Sequence, residues 1–350
     1  MRYIIYTDPH WGSYSSILRN RGDKYSVRLE NLIKTINWVE TMSEEYNCDN
    51  IICLGDFFDR ADISSEELTA LQEIRWTNKT HYFLVGNHEM GRSNLEFSSS
   101  HLFNLCPQCN VIDKPLILYD KETKLVFLPY ILERERKPLV EYLKDTQTYT
   151  YTKTLILSHN DIKDIQMGQW KSKEGFVLEE IKNNCNLFIN GHLHNSMMFD
   201  NVINLGNITG QNFSEDATKY PHQAILLDTD NGCVDFITNP FALNFYKIDL
   251  SNYDEDSIKK YFISKLVNDN IVLTVKVDEN KVPFIKKYLE ENYTNILSYR
   301  VIANIEHSDK QISTQENISI DYIDKFKCYI TNELGTSNLV MEELEKVTGI

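Results

Sequence analysis

The residues equipped for chemistry fall into five short motifs along the 350-residue chain. They are Asp8-Pro9-His10, Gly55-Asp56-Phe57-Phe58-Asp59-Arg60, Gly86-Asn87-His88-Glu89, Ser158-His159 and Gly191-His192-Leu193-His194. Together they offer carboxylates, imidazoles and a carboxamide, and no thiolate. Such a set suits two borderline-to-hard divalent cations bridged by a carboxylate. Asp56 has two oxygens for that bridge. Asp8, His10, Asp56 and His194 are expected around one cation; Asp56, Asn87, His159 and His192 around the other. The cations should lie roughly 3.5–4 Å apart, where such a pair activates water and clamps a phosphoryl group. His88 adjoins a ligand without being needed as one, which suits a general acid. Asp59 is placed to accept a hydrogen bond from His88 and fix its tautomer. Arg60 offers a planar fork for a phosphate oxygen. Phosphoester hydrolysis is the reading these residues favour.

The elements that must position them are legible as well. The runs YIIYT, NIICL, HYFLV, TLILS and LFIN each stand directly before one motif, as strands delivering ligands from their C-terminal ends. The two-residue spacing of Asp8 and His10, and of His192 and His194, predicts side chains on one face of a strand. Between the strands, Leu29, Leu32, Ile33, Ile36 and Val39 mark a helix over 25–45, and a capped start at Ser64 opens another through Leu68, Leu71 and Ile74. Further strands are expected at 124–129, 202–205, 224–228 and 233–238, the last two joined by a turn at Asp230-Asn231-Gly232. Five of the nine histidines lie inside the ordered motifs, which argues against scattered surface residues.

Composition bounds the alternatives. With 42% hydrophobic and 25% charged residues the chain reads as an ordinary soluble globular protein. No apolar run reaches the length of a membrane span, and a strand begins almost at once, leaving no room for a signal peptide. A cytoplasmic protein without membrane partners is the expectation. Seven cysteines at irregular spacing do not form a disulfide framework. Cys106-Pro107-Gln108-Cys109 is either half of a zinc site or two thiols on a turn, and no second pair favours the former. The net charge of −15 is awkward for a protein gripping nucleic acid unaided.

Taken together, D-x-H, GD-x-x-D, GNH-E, H and GH-x-H resemble the calcineurin-like metallophosphoesterases over residues 1–240. The resemblance implies an αββα four-layer sandwich of two mixed sheets around a binuclear site, with manganese usual in the nuclease branch. Leu128-Pro129-Tyr130, Asn204-Leu205-Gly206-Asn207 and the segment 220–229 extend the likeness to the SbcD-type nucleases. It implies a manganese-dependent nuclease, a 3′-to-5′ exonuclease on duplex ends and an endonuclease on single strands, in recombination and repair. A homodimer paired with an SbcC-like coiled-coil ATPase is implied too. DNA contacts are then expected at Arg19, Arg21, Lys24 and Arg28, against a plain solvated loop. The run Arg134-Glu135-Arg136-Lys137 reads as a surface loop.

After Asn239-Pro240 the pattern is strand (245–250), helix (257–267), strand (271–277), helix (282–292) and strand (296–305), a small α+β domain over 241–307. In the SbcD-like frame it corresponds to a DNA-capping domain. A polar linker follows over 308–317, then a helical segment over 318–350. Its stripe of Ile323, Phe326 and Ile330 would dock on the ATPase or pack back on the same chain. Two features depart from the SbcD-like pattern. Glu89 stands where those proteins usually carry Asp, and GD-x-x-D-R followed by GNHE is similar to stand-alone protein phosphatases and dinucleotide tetraphosphatases. Those families lack the paired His192 and His194 and the C-terminal domain.

Overall fold

The computed structural model describes residues 1–304 apart from 16, 19–21, 146–150, 168–169, 267–269 and 294. Two six-stranded mixed sheets form its centre. In the first, Arg2–Tyr6, Asn50–Cys53, Thr80–Leu84 and Cys109–Ile112 run parallel, and the hairpin strands Gln223–Asp228 and Cys233–Thr238 add antiparallel to Arg2–Tyr6. In the second, Thr123–Leu128, Lys153–Ser158, Leu187–Asn190 and Val202–Asn204 run parallel, flanked by antiparallel Leu116–Asp120 and Met197–Phe199. The expected hairpin turn is there, with Gly232 at φ 75° and its N–H on the Asp228 carbonyl.

Strand alternation assigns each face a layer. Tyr3 and Ile5 point to the space between the sheets, where they meet Leu125, Phe127, Leu155 and Leu157. Ile4 and Tyr6 point outward onto the helix Val27–Glu45 through Leu29, Leu32, Ile36 and Val39. Val126, Leu128, Ile156 and Phe188 pack on the outer side of the second sheet against Ile181 of the short helix Leu178–Asn184. The result is the four-layer αββα sandwich. Ser26 caps the long helix by accepting the Leu29 N–H, and Ser64 with Glu67 forms a capping box for Ser65–Leu71. That second helix stops at Leu71, short of the expected Ile74, which is buried all the same.

Residues 244–304 carry a core of their own inside the compact unit 1–304. Asn244–Asp249, Ile271–Asp278 and Ile296–Asn304 form a parallel sheet, with helices Glu255–Lys265 and Val282–Asn292 as crossovers. Ile258, Phe262, Ile285 and Leu289 bury the helices on it. Among the described residues no helix is long and apolar enough to cross a membrane. The linker and the stripe of Ile323, Phe326 and Ile330 lie outside the described residues.

Candidate metal centre

All five motifs leave the C-terminal ends of parallel strands and converge at one edge of the sandwich. The expected reason for their convergence needs correction. Arg2–Tyr6 ends before Asp8, and Leu187–Asn190 ends before His192. Asp8, His10, Asp56 and His192 instead have positive φ, at 52°, 49°, 48° and 71°. Non-glycine residues rarely adopt this region, and strain of this kind gathers at functional sites. Tight left-handed loops, not strand periodicity, aim the ligands. The glycines beside them allow close approach: a Cβ on Gly55 would strike the His159 ring, and one on Gly86 would strike the Asp56 carboxylate.

Asp8, His10 and His194 form one group whose ligand atoms lie within 4.8 Å of one another. His10 Nε2 is 3.6 Å from Asp8 Oδ1, and His194 Nε2 is 3.9 Å from it. The far nitrogen of each ring faces a carboxylate, Asp59 Oδ1 at 3.2 Å for His10 and Glu215 Oε1 at 3.6 Å for His194. Asp56, His159 and His192 form a second group. His159 Nε2 is 3.1 Å from Asp56 Oδ2, and His192 Nδ1 is 2.9 Å from Asn87 Oδ1. The other ring nitrogen of His192 meets Asp161 Oδ1 at 3.2 Å. The groups touch: the His192 N–H donates to Asp8 Oδ2 at 3.0 Å, and Asp56 Oδ2 is also 3.8 Å from His10 Nε2.

The electrostatics call for cations. Asp8, His10, Asp56 and His159 are fully buried, yet Asp8 Oδ1, His10 Nε2 and both His159 nitrogens have no hydrogen-bond partner among the described residues. Buried polar atoms are rarely left so, because the desolvation cost is not recovered. Burial would hold His10 low, but the carboxylates of Asp59, Asp8 and Asp56 outweigh it and lift it to about 10. His159 is lifted to about 9 against burial by Asp56 and Asp8. Asp8, despite burial, is held well below the usual carboxylate range by His159, His10 and His194. Buried carboxylates that recruit protons this strongly present a site for divalent metal, and the nitrogen and oxygen donors fit it.

A sequence model of the calcineurin-like phosphoesterases matches residues 1–196. The chain belongs to that family. No curated relative matches it. Among solved structures it is similar to a dimetal phosphatase from Danio rerio, at 12% identity and TM-score 0.39, covering 68% of this chain and 98% of that one. It is also similar to a calcineurin-like phosphoesterase from Bacillus subtilis, at 9% identity and TM-score 0.37, covering 68% and 88%. A metallophosphoesterase from Sphaerobacter thermophilus stands at 13% and 0.31, with the same coverage. The family assignment rests on the sequence match. Calcineurin-like phosphoesterases are metal-dependent hydrolases with a dinuclear divalent centre, and the two ligand groups here are its candidates.

Within this calcineurin-like centre several expected roles change. The Asp59 carboxylate faces His10; only its main-chain carbonyl reaches His88, 3.2 Å from Nδ1. His88 is exposed, its N–H donates to Asp56 Oδ1 at 2.9 Å, and its ring stands edge-on to His10 at 4.5 Å. It also falls in a third possible ligand group with His10 and Asp56. Arg60 is turned away, held by Glu67 at 3.2 Å and the Asp62 carbonyl at 3.0 Å. Arg28 is not on a surface loop. It is buried in the long helix, and Nη2 donates to the His10 carbonyl at 3.0 Å. The apolar stripe of that helix drew the guanidinium inside, where burial lowers its pKa against the fields of Asp59 and Glu215. Lys24 is paired with Glu73, and Arg19 and Arg21 lie outside the described residues.

Other residues escaped the sequence reading. Asp161 and Glu215 face two of the candidate ligand histidines, and Gln211 Nε2 donates to the Asp8 carbonyl at 3.0 Å. A buried ladder of Asn160, Asn190 and Asn204 holds the loops beneath His192: Asn190 Nδ2 donates to the Asn160 carbonyl and Asn204 Oδ1, and Asn204 Nδ2 to the Leu193 and Asn195 carbonyls. Asn160 and Asp161 directly follow His159, the one signal that was available. Glu89, buried, accepts the N–H groups of Gly86 and Phe58 and the Ser100 hydroxyl, tying two ligand loops together. Burial, then Asp56, push it up to about 7. Arg136 is not part of a loose surface run; it binds Asn160 Oδ1 at 3.0 Å and lies over Phe176. Cys106 and Cys109 are free thiols on a turn.

Proposed function

We propose that this phosphoesterase is a manganese-dependent DNA nuclease, the catalytic subunit of an SbcCD-like recombination and repair complex. One observation carries the choice among phosphoesterases. The segment 209–217 touches the metal loops and the 244–304 sheet at once. Gln211 and Glu215 reach Asp8 and His194, while the Ala217 N–H donates to the Phe245 carbonyl at 2.7 Å and Arg300 lies 4.4 Å over the Phe213 ring. A domain fixed beside the centre in this way suits a polymeric substrate that must be guided to it.

Two divalent cations, when bound, supply Lewis-acid stabilisation of the phosphoryl group and activation of water. Asp8, His10 and His194 would hold one, Asn87, His159 and His192 the other, with Asp56 between. The mixed imidazole and carboxylate donors favour manganese over magnesium, which resists dehydration and imidazole ligation. His88 stands at the open rim. Its Nδ1–H donates to the Asp59 carbonyl, leaving Nε2 to deliver a proton to the departing 3′-oxygen. The exonuclease acts 3′ to 5′ on duplex ends and the endonuclease on single strands. The segment 318–350, with Ile323, Phe326 and Ile330, docks on the coiled-coil ATPase, and the subunit is a homodimer.

The rival is a stand-alone phosphatase or dinucleotide tetraphosphatase. The neutralised Lys24 and the buried Arg28 favour it, because they leave the first loop without the expected phosphate contacts. Labelled linear duplex, labelled single strand and a small aryl phosphodiester, each with manganese and with or without the cognate ATPase, separate the two. Cleavage of DNA, stimulated by the ATPase, is expected. Turnover of small phosphoesters far above that of DNA in every condition would establish the rival.

A further inference from the structure

Beyond the second ligand group the surface opens into a cleft of about 730 Å³. One wall is the tip, residues 92–96, of the hairpin Met90–Gly91 and Asn94–Ser98, which begins immediately after Glu89 and turns through Arg92 and Ser93 at positive φ. The other wall is the segment 129–142, anchored at the centre by Tyr130, whose ring lies 5.6 Å from that of His192. Through Tyr130 the cleft adjoins His192 of the second ligand group. Arg92, Lys114, Arg134 and Lys137 line it together with Glu96, Asp113 and Glu135, with the rings of Tyr130 and Tyr142 among them; Asp113 faces His101 Nε2 at 3.3 Å. Lys114 is paired with Glu96 and Arg134 with Glu135. Exposed Arg92 and Lys137 have no ion pair among the described residues. In a chain of net charge −15, two uncompensated cations facing each other across a cleft call for an anionic occupant.

Cations interleaved with aromatic rings match a single strand of nucleic acid, whose phosphates track the charges while its bases stack. Tyr130, which lines the cleft and has its ring 5.6 Å from that of His192, places such a strand next to the second ligand group. Resting on the nuclease reading, we infer that this cleft is the single-strand track of the enzyme, carrying the nucleotides next to the bond that is cut. Arg92 and Lys137 each neutralise one phosphate. The cleft supplies the grip on DNA that the first loop, with Lys24 paired and Arg28 buried, does not.

The test compares the full-length enzyme with an Arg92→Asn/Lys137→Gln double variant. Asn tolerates the left-handed turn at position 92. Binding of a fluorescein-labelled twelve-nucleotide oligothymidylate and of a labelled duplex is followed by anisotropy in calcium over a salt series. Turnover of the oligonucleotide and of bis(p-nitrophenyl) phosphate is followed in manganese. Single-strand affinity should fall on the order of tenfold near 0.1 M salt. The slope of log K against log salt should shrink by about 1.4, about 0.7 for each phosphate contact. Small-diester turnover should not change. Single-strand binding and cleavage at wild-type levels with an unchanged slope would overturn the track and leave the nuclease reading standing. Loss confined to the duplex would overturn the single strand as the occupant. A wild-type enzyme that hydrolyses the small diester but neither binds nor cuts DNA would remove the nuclease reading itself, and the track with it.

Discussion

On one side of Asp56 lie Asp8, His10 and His194; on the other lie Asn87, His159 and His192, and the two sides are supported differently. The first is deep. Asp8 and His10 are fully buried, Asp59 and Glu215 stand behind the two imidazoles, Arg28 holds the His10 carbonyl and Gln211 the Asp8 carbonyl. These supports come from three separate segments of chain, the loop of Asp59, the helix of Arg28 and the segment that carries Gln211 and Glu215. The second side is shallower at Asn87 and has fewer supports, although its His192, 17% exposed, is less open than His194 at 27%. His159 is buried with neither ring nitrogen hydrogen-bonded, Asn87 and His192 are half-buried, and Asp161 alone backs an imidazole. Outer carboxylates fix ring orientation and raise ligand basicity. The deep side is thus built for tight, fixed coordination. The shallow side adjoins Tyr130 and the cleft of the proposed strand track.

The largest effect should come from the residue both sides share. Asp56→Ala should abolish turnover and leave dialysed protein with fewer than two bound metal ions, measured by elemental analysis. Full retention of two ions would show that Asp56 is not a bridge. Next in size is His88→Ala, expected to slow hydrolysis by about 10²–10⁴-fold while two ions stay bound. Because His88 also lies within ligand reach of His10 and Asp56, loss of an ion in this variant would move it from proton donor to ligand.

Supporting carboxylates should separate the two sides directly. In a two-step manganese titration by calorimetry, Asp59→Ala and Glu215→Ala should weaken the tighter step by about 10–100-fold. Asp161→Ala should weaken the looser step by a similar factor. If all three variants changed the same step, the distinction between deep and shallow would be wrong. Proton release offers a second measure. Without metal, His10 and His159 are raised to about 10 and about 9, so both are protonated at neutral pH. Metal must displace those protons, and its apparent affinity should climb from pH 7 to 9 and level off above the raised values. Calorimetry in buffers of different ionisation enthalpy counts the protons, and an affinity flat over that range would contradict the assignment.

The candidate ligands could be picked out because each motif follows an apolar strand, and chemistry at strand ends needs no knowledge of tertiary contacts. The geometry behind them was not legible. Two-residue spacing suggested a shared strand face, whereas Asp8, His10 and His192 are aimed by left-handed loops that propensity does not announce. Asp161 and Glu215 could not be assigned from spacing, since their meaning comes only from His192 and His194 across the fold. The strands and helices, those of 244–304 included, followed from hydrophobic periodicity, which burial enforces directly, whereas the four-layer arrangement came with the family resemblance. Arg28 failed for the same reason in reverse: its charge suggested solvent, while the stripe of Leu29, Leu32 and Ile36 carried it inward.

That residue gives the smallest expected effect and separates support from substrate binding. Arg28 donates to the His10 carbonyl and lies in the fields of Asp59 and Glu215. Arg28→Met keeps the length and apolar stem but removes the donor and the charge. The buried carbonyl is then left unsatisfied, at a cost of about 1–3 kcal/mol. Two acidic groups near the deep side also lose their compensating cation. The melting temperature of the metal-free protein should therefore fall by a few degrees, and part of the loss should return when manganese restores positive charge beside them. Because the side chain is buried, the salt dependence of DNA binding should not change. An unaltered melting temperature combined with a reduced salt slope would reverse the assignment, making Arg28 a phosphate contact and the deep side less supported than its geometry implies.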